Sequence, residues 1–418
     1  MENLYAVCCG IDVHKKLIVA CLRQEQNTQI KEFGASTREL LSLADWLLEN
    51  HCQAVAMEST GSYWKPLYNV LESFDLNPIV VNAQHMRNVP GRKTDIKDAE
   101  WISDLLCHGL LIPSFIPNRS QRELRELVSY RKSLVKTQSA ELNRLQKMLE
   151  GGNIKLSGTV SNINGKSARN LLDLILEGEK FDEAVYDQMI KDRKISRRLK
   201  ASKTKLIEDM NGVLSPVQIK MIRELRKHID ELEKHIRELD QDINDAMSDP
   251  EKEAAKRLTQ IPGIGEDSAK IIISVIGVDM SRFPTDRHIC SWAGISPGNK
   301  ESAKKKLSAR TTKGNKLLRS TLVVCAHSAV MKKESYFSSL YNRIAAHRGK
   351  KRAIVAVGHS ILKIAYHMLK NGESYKELGS NYYQTKTKES KIKSYLTKLE
   401  NLGIEIPEEY RNQALQMS

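Results

Sequence analysis

The chain has 418 residues, more than one hydrophobic core accommodates, so two or three domains are expected. Hydrophobic residues make up 40% and charged residues 28%, with 66 Lys and Arg against 51 Asp and Glu, a net +15. That composition suits a soluble protein with helical stretches, and the charge excess suits either plain solubility or a polyanionic partner. Seven cysteines (Cys8, Cys9, Cys21, Cys52, Cys107, Cys290 and Cys325) form no CxxC pair. They predict neither a zinc site nor a disulfide framework, and Cys8 and Cys9 read as small core hydrophobes. No apolar run reaches the length of a membrane span and the first residues lack a signal-peptide pattern, so a cytoplasmic protein with no membrane partner is expected.

Strand and helix signals alternate over the first 120 residues. Short apolar runs at 5–11, 17–22, 28–33, 54–57 and 78–81 read as strands. The spacings at 37–50, 63–74 and 95–106 read as helices, with the first strand stopping at Asp12 and the fourth at Glu58. This order predicts an α/β domain with a mixed sheet and helices on its faces. From Glu123 a leucine pattern predicts a long helix broken at Gly151 and Gly152. The stretch 153–216 is polar and basic, with short helices expected. Ile222, Leu225, Ile229, Leu232, Ile236, Leu239 and Ile243 then follow a heptad spacing. Ile at a and Leu at d favour a parallel two-stranded coil, with pairing back onto the earlier long helix as the alternative. A mainly helical domain follows. Its last helix, 351–369, is closed by Asn371 and Gly372, and the charged tail after Ser380 is expected to be helical in part. The domains are thus 1–122, 123–250, 251–375 and 376–418.

Two constellations carry chemistry. Asp12 and Glu58 end apolar strands, and Asp95 and Asp98, three apart, share one helix face. Clustered carboxylates raise one another's pKa unless a cation offsets them, and their hard oxygens suit Mg²⁺. Singly, each is as well a turn former or a helix cap. Downstream, Lys300, Lys304, Lys305, Lys306, Arg310, Lys313, Lys316 and Arg319 are opposed by Glu301 alone, with Ser302, Ser308, Thr311 and Thr312 interleaved. Lys304, Lys305, Lys306, Arg310, Lys313, Lys316 and Arg319 are the candidate nucleic-acid contacts, with a solvated charged loop as the alternative. A hydroxyl in such a setting can attack a phosphodiester, but the residues themselves privilege none of the four. The turn Pro262-Gly263-Ile264-Gly265 reads equally as a helix-hairpin-helix-like phosphate contact or a plain tight turn.

Gly10-Ile11-Asp12, Met57-Glu58-Ser59-Thr60-Gly61 and Lys93-Thr94-Asp95-Ile96-Lys97-Asp98-Ala99 resemble the DEDD motif of the transposases of the insertion-sequence family numbered one hundred and ten, with its Piv-type invertase relatives. Ile261-Pro262-Gly263-Ile264-Gly265, Trp292-Ala293-Gly294-Ile295-Ser296-Pro297 and Thr312-Lys313-Gly314-Asn315 resemble that family's C-terminal domain, in the family's order. The resemblance implies a RuvC-like (RNase H-like) domain, a coiled-coil middle and a mainly helical serine-bearing transposase domain. It implies Asp12, Glu58, Asp95 and Asp98 as Mg²⁺ ligands and Ser302 as the nucleophile, with Ser308 in reserve. It further implies donor and target double-stranded DNA as substrates, a noncoding bridge RNA that pairs with both, and homodimers assembling to a tetramer with composite active sites. The stretch 153–216 and the tail match no motif. A junction-resolving nuclease that uses water, and a catalytically dead nucleic-acid scaffold, are the competing readings.

Overall fold

The computed structural model describes residues 3–25, 27–59, 61–81, 95–298, 300–302, 305–308, 311–402 and 407. It divides into two compact units, Met1–Asn118 and Arg119–Ser418.

The first unit is a five-stranded mixed sheet. β1 (Val7–Val13), β2 (Leu17–Gln24), β3 (Asn27–Gly34), β4 (Ala54–Glu58) and β5 (Ile79–Val81) lie in the order β3-β2-β1-β4-β5. The first three strands are antiparallel, and β4 and β5 join in parallel register. Its two faces differ in side-chain size. Cys9, Ile11, Val13, Val55, Met57 and Val80 point to one face, where α1 (Thr37–Glu49) and α2 (Trp64–Ser73) pack through Leu43, Leu47, Leu67 and Leu71. The other face offers Cys8, Ala54 and Ala56 to α3 (Asp95–Cys107), which contributes Ile102 and Leu106. Small residues there let α3 approach the sheet closely. A Cβ on Gly10 would lie 2.2 Å from the Ser103 amide nitrogen and 2.4 Å from the Ala99 carbonyl oxygen. The cysteines read as core are buried, and burial pushes the Cys8 thiol up to about 12 and the Cys52 thiol up to about 11. At neutral pH these are filler groups, not nucleophiles.

The second unit is built on two long helices, α4 (Arg119–Gly151) and, after four short helices, α9 (Pro216–Ala246). They run antiparallel: Arg131 bonds Asp240 at 2.6 Å, and Glu141 faces His228 at 3.5 Å. The heptad positions Ile222, Ile229, Leu232, Ile236 and Ile243 are buried within this chain. This corrects the preference for a parallel coil between subunits. The stripe packs back onto the earlier helix, because the chain supplies an apolar partner of matching length before any second copy is met. Ser215 opens α9 with a capping box and Pro216 at its first turn.

The four short helices are α5 (Leu156–Thr159), α6 (Lys166–Leu176), α7 (Glu183–Lys191) and α8 (Lys203–Met210). They form a core of their own around Leu171, Phe181 and Leu206, and it takes Leu145, Leu149, Ile222 and Ile229 from one end of the long pair. The other end, with Leu124, Val128, Ile243 and Met247, enters a second core. That core belongs to α10 (Asp249–Leu258), α11 (Glu266–Ile276), α12 (Asp286–Trp292), α13 (Lys316–Met331), α14 (Tyr336–Arg348) and α15 (Lys350–Asn371). Gly372, in the left-handed region at φ 72°, ends α15 where the sequence placed its stop. A tail helix, α16 (Tyr382–Asn401), follows. No described helix is long and apolar enough to cross a membrane.

Candidate functional site

Asp12 lies inside β1, not beyond its end as the apolar run suggested, and Glu58 is the last residue of β4. The parallel pairing of the two strands runs to Ile11 opposite Met57. Asp12 and Glu58 are the next residues on each strand. They are neighbours on strands about 4.8 Å apart and point to the same face. That face is the one α3 covers, since Gly10 and Ala56, two residues back on each strand, meet α3 or its cluster.

Helix α3 crosses this face antiparallel to β1. The Leu4 amide bonds the Cys107 carbonyl, the Cys8 thiol lies 3.6 Å from the Ser103 carbonyl, and Gly10 touches Ala99 and Ser103. Continuing that register, Asp12 comes opposite the first turn of α3, where Asp95 and Asp98 begin the helix. Val19, the cross-strand partner of Asp12, packs against Ala99, the residue after Asp98. Asp98 is half-buried. The side chain of Asp95 lies outside the described residues.

The Asp12 carboxylate is 3% exposed, and His14 Nε2 is 3.0 Å from its Oδ2. His14 escaped the sequence reading. Two residues after an aspartate on a strand, it carries no signal until the chain turns at residues 14–16 and folds it back. Among the described residues no three ligating side chains form a closed metal group. The donor chemistry nevertheless fits a divalent cation: a buried carboxylate with a second one in the adjacent sheet row needs positive charge nearby, and their oxygens are hard ligands.

In the second unit the basic stretch is not a plain loop. Two short strands, β6 (Lys300–Ser302) and β7 (Lys305–Ser308), form an antiparallel hairpin that the sequence reading did not foresee. Ser302 is the last residue of β6 and pairs with Lys305 beside the turn, while Ser308 ends β7 opposite Lys300. Lys304 and Arg310 lie outside the described residues, as do the side chains of Ser302, Lys305, Lys306 and Ser308.

The root of the hairpin is closed by a bridge between Pro297 and Thr311. Below it, Gly294 (φ 67°) and Gly314 cross so tightly that a Cβ on Gly294 would lie 2.6 Å from the Gly314 nitrogen. Asn315 then caps α13, accepting the Leu318 amide at 3.0 Å. Both motif segments are thereby accounted for by backbone contact. Lys313 and Lys316 are exposed at the start of α13, and Arg319 is half-buried one turn on.

The Pro262–Gly265 turn is a packing device. A Cβ on Gly263 (φ 88°) would lie 2.3 Å from the Cys325 carbonyl oxygen on α13. The first turn of the following helix holds Glu266 and Asp267, and Asp267 pairs with Arg131 at 2.9 Å. Carboxylates at that helix start weigh against a phosphate there.

Residues 9–154 match the DEDD transposase family of IS110, and residues 255–342 match the transposase family IS116/IS110/IS902. The chain is similar over 389 residues, at 21% identity, to the transposase for insertion sequence element IS1111A of Coxiella burnetii, covering 88% of this chain and 90% of that one. It is 30% identical over 124 residues to the pilin gene-inverting protein of Moraxella lacunata, covering 29% of this chain and 38% of that one. It is 29% identical over 121 residues to the 43.6 kDa protein of insertion element IS110 from Streptomyces coelicolor, covering 28% of this chain and 29% of that one. The chain thus spans only about a third of the length of the first of the curated relatives it matches. With the two transposase domains in order, together covering more than half of the sequence, and with the carboxylate row and hairpin root on their motif residues, the chain belongs to the IS110 family of transposases.

Proposed function

We propose that this protein cuts and rejoins DNA at the ends and target of a mobile element, through a serine–DNA intermediate. The observation that carries the reading is the strand register that sets Asp12 beside Glu58 on the face crossed by the first turn of α3. Relatives named as an insertion-sequence transposase and as a gene-inverting protein support it, since both names describe DNA rearrangement.

In this reading Asp12, Glu58, Asp95 and Asp98 would hold Mg²⁺, which when bound would supply Lewis-acid stabilisation to the reacting phosphate oxygens. His14, against Asp12, orients that carboxylate. The Ser302 hydroxyl forms a bond to phosphorus while one bridging P–O bond breaks. Its proton leaves with the released deoxyribose oxygen, and the phosphoserine conserves the bond for attack by a new hydroxyl. The Lys and Arg side chains around the hairpin, Lys304, Lys305, Lys306, Arg310, Lys313, Lys316 and Arg319, hold the strand through its phosphates. A structured noncoding RNA of the same element, pairing with donor and target DNA, would read sequence and leave the protein to hold backbones. Homodimers joining into a tetramer would let the carboxylates of one subunit serve the serine of another.

The test is covalent trapping. The full chain is incubated with Mg²⁺, the element's RNA and matched DNA, then denatured and searched for a protein–DNA adduct. An adduct is expected that disappears with Ser302→Ala and persists with Ser308→Ala. Asp12→Asn should lower its yield about a thousandfold. Cleavage without an adduct, unaffected by Ser302→Ala, would sink the serine mechanism and favour attack by water.

A further inference from the structure

The second unit holds a cavity of about 1020 Å³ at the root of the β6–β7 hairpin, beside the Pro297–Thr311 bridge and against α14 and α15. Its cationic lining is Arg319, Arg343, Arg348, Lys351 and Arg352, with His347 and His359 among them, and among the described residues no carboxylate lines it. Its apolar lining includes Ile295, Pro297, Ile344, Val355 and Ala356. The size lies at the upper end of the roughly 300–1,000 Å³ that small-ligand sites occupy.

Among the described residues these charges lack an acidic partner. Among the described residues, none of the five Lys and Arg side chains is in an ion pair, although the chain has acidic partners to spare for its other arginines. Arg343 instead lies 4.0 Å from the centre of the Tyr383 ring. Four of the cavity's basic residues fall within His347–Arg352, a run that crosses from the end of α14 to the first turn of α15. Basic residues at a helix start add to the positive end of its dipole instead of offsetting it. Like charges gathered without a counter-ion repel, and a polyanion is the partner that reverses the sign of that energy.

The apolar lining narrows the choice of polyanion. A lone phosphate has no use for Ile344, Val355 and Ala356, and a paired duplex keeps its base faces inside the stack. An unpaired nucleotide presents both surfaces at once, a phosphate for the arginines and a base face for the aliphatic side chains.

We infer that this cavity binds a short unpaired stretch of a nucleic-acid strand and delivers it to the root of the hairpin that carries Ser302. The inference rests on the proposed reading of the chain as a DNA-rearranging enzyme and adds a second holding point, with five cationic residues of which only Arg319 belongs to the basic stretch read from sequence.

Anisotropy of labelled single-stranded DNA, single-stranded RNA and duplex DNA of one sequence, titrated with the full chain over a range of salt, tests it. Arg348→Gln with Lys351→Gln should weaken single-strand binding about tenfold and flatten the log–log salt slope by about 1.4. Ala356→Phe, which removes space and no charge, should weaken single strands about fivefold and leave the duplex unchanged. The tighter of the DNA and RNA strands on the unaltered chain identifies the source of the strand. Single-strand affinity unchanged in both variants overturns the inference, and so does an equal loss in the exposed control pair Lys332→Gln with Lys333→Gln. An unaltered chain that binds no nucleic acid overturns the proposed function as well.

Discussion

In the N-terminal unit two of the candidate carboxylates, Asp12 and Glu58, sit on a sheet packed on both faces, whereas in the C-terminal unit the candidate serine sits on a two-stranded hairpin attached to a helical core. The first arrangement is set by long-range backbone pairing. Asp12 is placed by Val19 across one strand and by the Ile11–Met57 pair just before it across another, so moving it requires slipping the sheet register. The second is set at one point, where Gly294 crosses Gly314 and Pro297 bridges Thr311. The difference teaches that a metal-type site, which needs several ligands held to fractions of an ångström, is built on paired strands. A group that must meet a large substrate can instead be carried on a short projection.

Substitutions at the glycines break this comparison most directly. Gly10→Ala forces a Cβ against backbone atoms of α3 that cannot rotate away. It should cost about 3 kcal/mol or more and abolish strand cleavage together with the fold of that unit. A scanning calorimetry trace with an unchanged first-unit transition would refute that account. Gly294→Ala meets both a left-handed φ and the Gly314 backbone, and should cost about 2 kcal/mol. Its effect should be confined to the hairpin root. Adduct formation should fall while metal-dependent protection of the first unit in hydrogen exchange stays as before, and loss of both would show that the two sites are less independent than the contrast claims.

The smallest effect tests the long helix pair. Arg131, 16% exposed, bonds Asp240 on α9 and Asp267 at the start of α11. Arg131→Ala should lower stability by about 1 kcal/mol, read from urea unfolding, with no change in nucleic-acid affinity. A change in affinity at constant stability would mean that this pair transmits something beyond support.

Much of the first unit was legible because hydrophobic periodicity and strand length agree there. The reading of 17–22 as a strand and of 37–50 as a helix agrees with the structure at the starts and differs by two residues and one residue at the ends. Of the candidate site, the row of Asp12 and Glu58 was legible as strand-end carboxylates, though β1 continues past Asp12 to Val13. The hairpin at 300–308 was not. Its strands of three and four residues are rich in Lys and carry no alternating apolar face, so local pattern reads them as loop. Short helices were expected between 153 and 216, but their bounds were hidden for a related reason: each takes its stability from a shared core around Leu171 and Phe181.

The sequence alone determined which residues could be strands, helices and caps, where α15 stops, and which side chains carry chemistry, because these follow from period, propensity and residue type within a few positions. Only the tertiary structure decided that the heptad of α9 is satisfied by α4 within the chain, that Gly10 admits α3 to the face of Asp12 and Glu58, and that Arg319 joins Arg348 and Lys351 around one cavity. Those are contacts between residues far apart in the chain, chosen by complementary shape and by the burial of apolar surface, and no local pattern encodes which of several compatible faces will meet.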